Sequence, residues 1–416
     1  MNPPQITETV SGYIFSWQKE MITIEVTQIH AHTDGRVTGE ITVTTQAPGY
    51  GPHLHQARFD FSSSHSRTDL AKTLELRYPK LANWFDILEQ LSVYTLERSR
   101  RGEPVRVLST GGDVRPPEYI LEPILLKNLP TIIFGDPSSA KSTVALILTQ
   151  IMSCPLAWVG CFSDIIPPRR PITCLYLDYE TDEDTVRWML TKLQRGMNLP
   201  PLKLNYRRCA LPLSQDIDQI HRHISDTGAE VTIIDSLGLA CGGDLKEPEP
   251  ALSFFSALRR LKTTPLILAH TAKNPETKQK TVFGSVFFGA QGRSIWEIRK
   301  VQEIGDDEID VGLFHRKAPP FQKLSQPLGL HITFTYDAMV VSPSKPKTIP
   351  AFLSAVGTQA QIRELLKDGA LSTKDIMEAL GISRGAADMA LKRLKDKQRV
   401  IKLQNGKWQL VDNKAI

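Results

Sequence analysis

Cysteine is scarce in this chain and never paired in spacing. The five cysteines, Cys154, Cys161, Cys174, Cys209 and Cys241, all lie in the middle of the 416 residues and form no CxxC. A disulfide framework and a zinc ribbon are both poorly supported, and a reducing compartment, the cytoplasm, is the expectation. A secretory signal is lacking too, because MNPPQITETVSGY has no charged start followed by an apolar stretch. The longest nearly apolar run, Val144 to Phe162, is broken by Thr149, Gln150, Ser153 and Pro155, so it reads as a buried helix and loop rather than a membrane span. Nor is charge of one sign in excess over most of the length. Up to residue 358 the chain carries 38 basic and 38 acidic residues, and from Gln359 onward 12 basic against 7 acidic, so the whole formal +5 sits in the tail. A small basic tail on a neutral body points to an anionic partner for that tail. With 41% hydrophobic and 23% charged residues, the composition excludes disordered and membrane classes.

What is present divides into three segments. The first, 1–110, opens with strand signals in MITIEVTQIHA, a turn at Asp34-Gly35, and VTGEITVTT, a hairpin pattern, followed by HLHQARFDF. Arg67 to Arg101 carries helical spacing, which makes this a small α+β domain. Gly111 to Pro117 reads as a linker. The second segment, 120–343, alternates strand runs (TIIFG, ITCLYLDYE, VTIIDS, PLILAHT, IWEIRKV, IDVGLFHRK) with helical stretches. That alternation predicts an α/β fold with a mainly parallel sheet and antiparallel pairs at its late edge. After a second linker, SPSKPKTIP, the segment 358–412 shows three helices and a tight hairpin at Asn405-Gly406, the winged-helix pattern; Ser372-Thr373-Lys374-Asp375 is a capping signature for its second helix.

Gly135-Asp136-Pro137-Ser138-Ser139-Ala140-Lys141-Ser142-Thr143 follows an apolar strand and precedes an apolar helix. It meets the P-loop pattern except that Ala140 replaces the second glycine. In that geometry backbone N–H groups and a helix N-terminus surround phosphates, Lys141 faces the β/γ oxygens, and Ser142 reaches Mg²⁺. About a hundred residues on, Val231-Thr232-Ile233-Ile234-Asp235 has the Walker B form, its carboxylate holding the water shell of Mg²⁺. Between them, Glu180 closes LYLDYE and is a candidate for the base that polarises the attacking water, with Asp178 second; the alternative is an acidic helix start, which also accounts for Asp182, Glu183 and Asp184. His270 ends PLILAH, as a γ-phosphate sensor or as a satisfied core histidine. Arg316 and Lys317 end another strand, as cations serving a neighbouring subunit's nucleotide or as ordinary surface charge.

Taken in order and spacing over about 200 residues, GDPSSAKST, LYLDYE, VTIIDS, LILAHTAK, GRSIWEI and FHRK resemble the RecA-like hexameric ATPases, above all the RepA-like (AAA_25 type) plasmid and phage replicative helicases. The resemblance implies Glu180 as catalytic base, Asp235 as Walker B acid, His270 as sensor, Arg316 with Lys317 acting on the adjoining subunit's ATP, and Arg293 serving DNA or the interface. It also implies a homo-oligomer, a hexamer, working with ATP and Mg²⁺.

From the residues themselves, Lys273, Lys278 and Lys280 followed by Phe283, Phe287, Phe288 and two glycines suit a pore loop that tracks single-stranded DNA, or else core packing of the phenylalanines. In the C-terminal segment, Arg384, Lys392, Arg393 and Lys395 mark a recognition helix for duplex DNA and Lys407 a wing, with protein contact as the alternative. His30 with His32 and His53 with His55 alternate on strands, as exposed histidines in preference to metal ligands. The expectation is a ring-forming DNA motor of mobile-element replication type. An ATP-switched DNA-binding regulator or recombination mediator, and an ATP-binding scaffold without nucleic acid, remain open.

Overall fold

The computed structural model describes residues 2–9, 12–32, 34–101, 105, 107, 116–272, 281–284 and 286–411. They form two compact units, Met1–Pro116 with Leu213–Asp226 and Ser256–Leu261, and the remainder of the chain.

In the first unit β1 (Gln5–Glu8), β2 (Tyr13–Trp17), β3 (Ile22–Ala31), β4 (Val37–Thr45) and β5 (His53–Asp60) make an antiparallel meander in chain order. Ile22, Ile24 and Val26 alternate inward on β3 and meet Ile41 and Val43 of β4 in one core, which fixes register because a slip of one residue would turn the apolar set to solvent. The hairpin β3–β4 and strand β5 match the sequence expectation; β1 and β2 were not expected. The helical stretch is two helices, α1 (Ser64–Arg77) and α2 (Trp84–Arg101), separated around Pro79, where helix cannot continue. His30 pairs in register with Thr38 and His55 with Val43, five positions further along β4, so the two histidine pairs lie well apart. No cluster of metal-ligating side chains occurs among the described residues. The unit also takes in Leu213–Asp226 and Ser256–Leu261, which lie inside the middle segment of the sequence. Arg222 there pairs with Glu25 of β3 at 2.9 Å.

The second unit contains the hairpin β6 (Tyr119–Leu121) and β7 (Leu125–Leu126), then β8 (Thr131–Gly135), α3 (Lys141–Ser153), β9 (Cys174–Asp178), α4 (Glu183–Gly196) and β10 (Asn205–Arg208). Helix α5 (Ile217–Thr227), which belongs to the first unit as far as Asp226, is followed by β11 (Val231–Asp235), α6 (Leu237–Cys241), α7 (Pro248–Leu261, the first unit's from Ser256), β12 (Thr264–His270), α8 (Val286–Gln291), β13 (Ser294–Val301), β14 (Glu308–Lys317), β15 (Leu328–Phe334) and β16 (Met339–Ser344). Among the described residues one nine-stranded sheet runs β10-β9-β11-β12-β8-β13-β14-β15-β16. The first six are parallel and the last three pairings antiparallel, as the alternation predicted. Strands β8, β9 and β11 are buried along their whole length, which explains why they read as continuous apolar runs. Because they are parallel, their C-terminal ends share one edge of the sheet: Asp235 is the register partner of Asp178, and His270 of Gly135.

The stretch read as a second linker is partly ordered differently. Strand β16 runs to Ser344, and Phe352 is buried against Phe314 of β14, ring centroids 5.8 Å apart. Then come α9 (Thr358–Leu365), α10 (Thr373–Leu380), α11 (Arg384–Asp396), β17 (Val400–Lys402) and β18 (Trp408–Leu410). The capping box of Ser372 and Asp375 is formed, and Gly381 closes α10 in the left-handed region at φ 60°. Ile362, Ile376, Leu391, Leu394, Val400 and Trp408 give these elements a core of their own, and Leu371 bridges to Trp408 as a third extended partner of the hairpin.

Candidate active site

The loop from Gly135 to Lys141 wraps the start of α3. A Cβ on Gly135 would stand 2.5 Å from Ile298 Cγ2 and 2.7 Å from its carbonyl oxygen, so β13 leaves room only for glycine. Ser138 and Ala140 both have positive φ, 60° and 65°, and Ala140 occupies the left-handed N-cap of α3. A methyl is tolerated at this position, at a conformational cost of roughly 1–2 kcal/mol. Lys141 is 7% exposed, and its Nζ donates to the carbonyls of Gly135 at 3.2 Å and Asp136 at 2.9 Å. Burial lowers its pKa, opposed by the charges of Glu180, Asp235 and Asp136. Ser139 Oγ is buried, with no hydrogen-bond partner among the described residues. It is a polar group that a phosphate oxygen would satisfy.

Ser142 and Asp235 are hydrogen-bonded to each other. Asp235 is 2% exposed, and burial raises its pKa against the bonds from Ser142 and Tyr176. A hydroxyl and a carboxylate in contact are hard oxygen donors, and they fit Mg²⁺. Asp178 is fully buried. Its Oδ1 accepts the N–H groups of Glu180 and Thr181 at 2.9 and 2.8 Å, and its Oδ2 accepts the hydroxyls of Thr181 and Tyr206 at 2.8 and 2.9 Å. Burial raises its pKa, but these bonds outweigh it and leave the carboxyl below its usual range. Asp178 is therefore occupied in holding the turn that carries Glu180, and the second-choice base becomes a support for the first.

Glu180 stands with its Oε1 3.6 Å from His270 Nε2, both side chains about two-fifths exposed. His270 Nδ1 is buried and has no partner among the described residues. Thr271 N–H donates to the Gly135 carbonyl at 3.2 Å, tying the end of β12 to the P-loop. Asp182 caps α4 by accepting from Thr185 N–H, the expected helix-start role. Lys141, Ser142, Glu180, Asp235 and His270 are thus gathered at one edge of the sheet. The hydroxyls of Tyr176 and Tyr206 belong with them and were missed. Their signal was the two-residue spacing of Tyr176 and Asp178 in LYLDYE, which puts them on one face of a strand.

Other expected site residues lie elsewhere. Strand β14 is antiparallel to β13, and Lys317 pairs with Ile295, whose neighbour on β8 is Ile132, at the edge opposite Gly135. Arg316 donates to Glu297 Oε2 at 2.8 Å through Nε, and to the Ala355 carbonyl at 2.8 Å. Glu297, 1% exposed, also holds Arg299 at 2.6 Å. The guanidinium of Arg316 thus neutralises a buried carboxylate within the chain. Lys317 Nζ donates to the carbonyls of Gly289 and Ala290, and burial lowers its pKa, with exposed Arg293 adding to the effect. Lys273, Lys278 and Lys280 lie outside the described residues. Phe288 is core, fully buried 6.3 Å from the ring of Phe255, while Phe283 is 38% exposed. Arg384, Lys392, Arg393, Lys395 and Lys407 are all exposed on α11 and the hairpin turn.

The profile of the AAA_25 family, described as an AAA domain, matches residues 96–276. With the strand–loop–helix geometry above, that match supports a P-loop ATPase domain with a RecA-like core in the middle of the chain, a class that uses a nucleotide, ordinarily with Mg²⁺. Among solved structures, a KaiC-like protein from Pyrococcus horikoshii OT3 aligns at 12% identity over 58% of this chain and all of that one, with a TM-score of 0.37. No curated protein sequence matches. Among the described residues no helix is long and apolar enough to cross a membrane.

Proposed function

We propose that the chain is a ring-forming, Mg-ATP-dependent DNA motor, a replicative helicase of plasmid or phage type that hydrolyses ATP between subunits of a hexamer. The observation that carries the reading is the convergence of Lys141, Ser142, Asp235, Glu180 and His270 at one sheet edge, in a chain that ends in a basic three-helix module. Lys141 offsets charge on the β and γ phosphates, Ser142 and Asp235 hold Mg²⁺, and Glu180 takes the proton of the attacking water. His270, in contact with Glu180, responds to the γ-phosphate. Mg²⁺ when bound supplies charge neutralisation at the transferred phosphoryl group.

The C-terminal elements act as a winged helix on duplex DNA. This is supported by the exposed cations of α11, by the hairpin with Lys407 at its turn, and by the tail's excess of positive charge. Lys273, Lys278 and Lys280, and Arg293 after them, take single-stranded DNA in the ring.

The test is ATP hydrolysis by the full chain with Mg²⁺, with and without single-stranded DNA, followed by unwinding of a forked duplex. Stimulation and unwinding are expected. Turnover indifferent to the strand, with no unwinding, would replace the motor with an ATP-switched DNA binder. Removal of 358–416 should weaken duplex affinity and flatten its dependence on salt while basal turnover persists.

A further inference from the structure

One geometric step is repeated across three neighbouring parallel strands. Tyr206 on β10 is the register partner of Tyr176 on β9, and Asp178 on β9 is the partner of Asp235 on β11. Tyr206 donates its hydroxyl to Asp178 Oδ2 at 2.9 Å, and Tyr176 donates its own to Asp235 Oδ2 at 2.6 Å. Each phenol therefore reaches one strand inward and two residues toward the P-loop edge. The rings stack, with centroids 6.4 Å apart and planes 18° from parallel. Tyr176, Asp178 and Asp235 are all at most 2% exposed. The buried phenol of Tyr176 needs only one acceptor, which a backbone carbonyl would satisfy, and the half-buried phenol of Tyr206 could turn to water. Both are instead spent on carboxylates whose remaining bonds serve the site, Asp178 through the N–H groups of Glu180 and Thr181, and Asp235 through Ser142.

We propose that Tyr206 and Tyr176 are positioning residues with separate tasks: Tyr206, through Asp178, aims Glu180 at the attacking water, and Tyr176 orients Asp235 for Mg²⁺. The inference rests on the roles given above to Glu180 and Asp235. Without the Tyr206 hydroxyl, Asp178 Oδ2 keeps only Thr181, and the turn that presents Glu180 loses a restraint. A small misplacement of a catalytic group mainly slows chemistry. Without the Tyr176 hydroxyl, the carboxylate of Asp235 keeps its bond with Ser142 but loses the one that fixes Oδ2, and partners behind a metal ligand typically carry 10–100-fold in metal affinity. The two variants therefore fail in different ways, which general loosening of the sheet would not produce.

The experiment compares full-length wild type, Tyr206→Phe, Tyr176→Phe and Glu180→Gln in two measurements. One is steady-state ATP turnover, and the other is binding of a fluorescent, non-hydrolysable ATP analogue, each with Mg²⁺ titrated. Tyr206→Phe should lower kcat about 10-fold while KM and analogue affinity stay unchanged. Tyr176→Phe should raise the Mg²⁺ concentration for half-saturation about 10-fold in both measurements. Thr181→Val, which removes the other hydroxyl on Asp178 Oδ2, should repeat the Tyr206→Phe pattern and stands in for it if that variant does not fold. The proposal is overturned if both tyrosine variants match wild type, or if both lose turnover and analogue binding together with a lowered melting temperature. If wild type fails to hydrolyse ATP, or Glu180→Gln is fully active, the catalytic reading fails instead, while the analogue measurement still decides the role of Tyr176.

Discussion

Strands β11 and β14 both end in charged side chains, yet those ends face opposite edges of one sheet. Strand β11 is parallel to β8 through β12 and delivers Asp235 to the edge that holds Gly135. Strand β14 runs the other way and delivers Arg316 and Lys317 to the far edge. At the first edge Ser139 Oγ and His270 Nδ1 have no hydrogen-bond partner among the described residues. On β14 they are paired within the chain: Arg316 with Glu297 and Ala355, Lys317 with two carbonyls, and His315 with Ser294 and Ser325. A charge at the end of a strand thus has opposite meanings according to the strand's direction. At the first edge Ser139 Oγ is left for a ligand to take, and on β14 the paired charges form a joint.

The largest expected effect lies on the first edge. Glu180→Gln should lower ATP turnover by about 10²–10⁴-fold with nucleotide binding kept. Arg316→Gln should instead lower the melting temperature and leave turnover near wild type. Loss of turnover with an unchanged melting temperature would make Arg316 a catalytic cation acting on a neighbouring subunit and break the comparison. Next, Glu297→Ala leaves two guanidinium groups without their buried partner and should cost about 3–5 kcal/mol in denaturant unfolding.

His315 makes a third test. It is buried and stacked on Trp296 at 4.2 Å, and burial pushes its pKa from 6.5 down to about 4. Between those values the unfolded chain binds a proton that the folded chain does not, so stability is complete above pH 6.5 and falls as the pH drops toward 4. From pH 7 to 5 the loss should be about 2 kcal/mol, and His315→Gln should flatten that part of the pH–stability curve. The smallest effect is at the P-loop, where Ala140→Gly should raise stability by about 1 kcal/mol by relieving the left-handed alanine.

Much of this was legible in the sequence because it rests on local pattern. The P-loop sits between an apolar strand and helix, buried parallel strands read as unbroken apolar runs, and the capping box and Gly381 announce α10. The site residues Lys141, Ser142, Asp235 and Glu180 were found because each ends or follows such a strand. What stayed hidden depends on register and strand direction, which one strand's residues do not encode. Tyr206 and Asp178 are 28 positions apart, and Arg316 and Ala355 are 39, so neither bond leaves a local trace. Strands β1 and β2 were missed because the short, polar β1 (QITE) carries no clear alternation. The edge occupied by Arg316 could be assigned only once β14 was seen to run antiparallel.

The first unit draws on three separate stretches of chain, the last ending at Leu261. During synthesis its N-terminal meander is made early, but Arg222, the partner of Glu25, is added only after the P-loop and β9 have been translated. The unit cannot be completed until most of the ATPase sequence has left the ribosome. A gene fragment ending at residue 116 therefore lacks two of the three stretches that make up this unit.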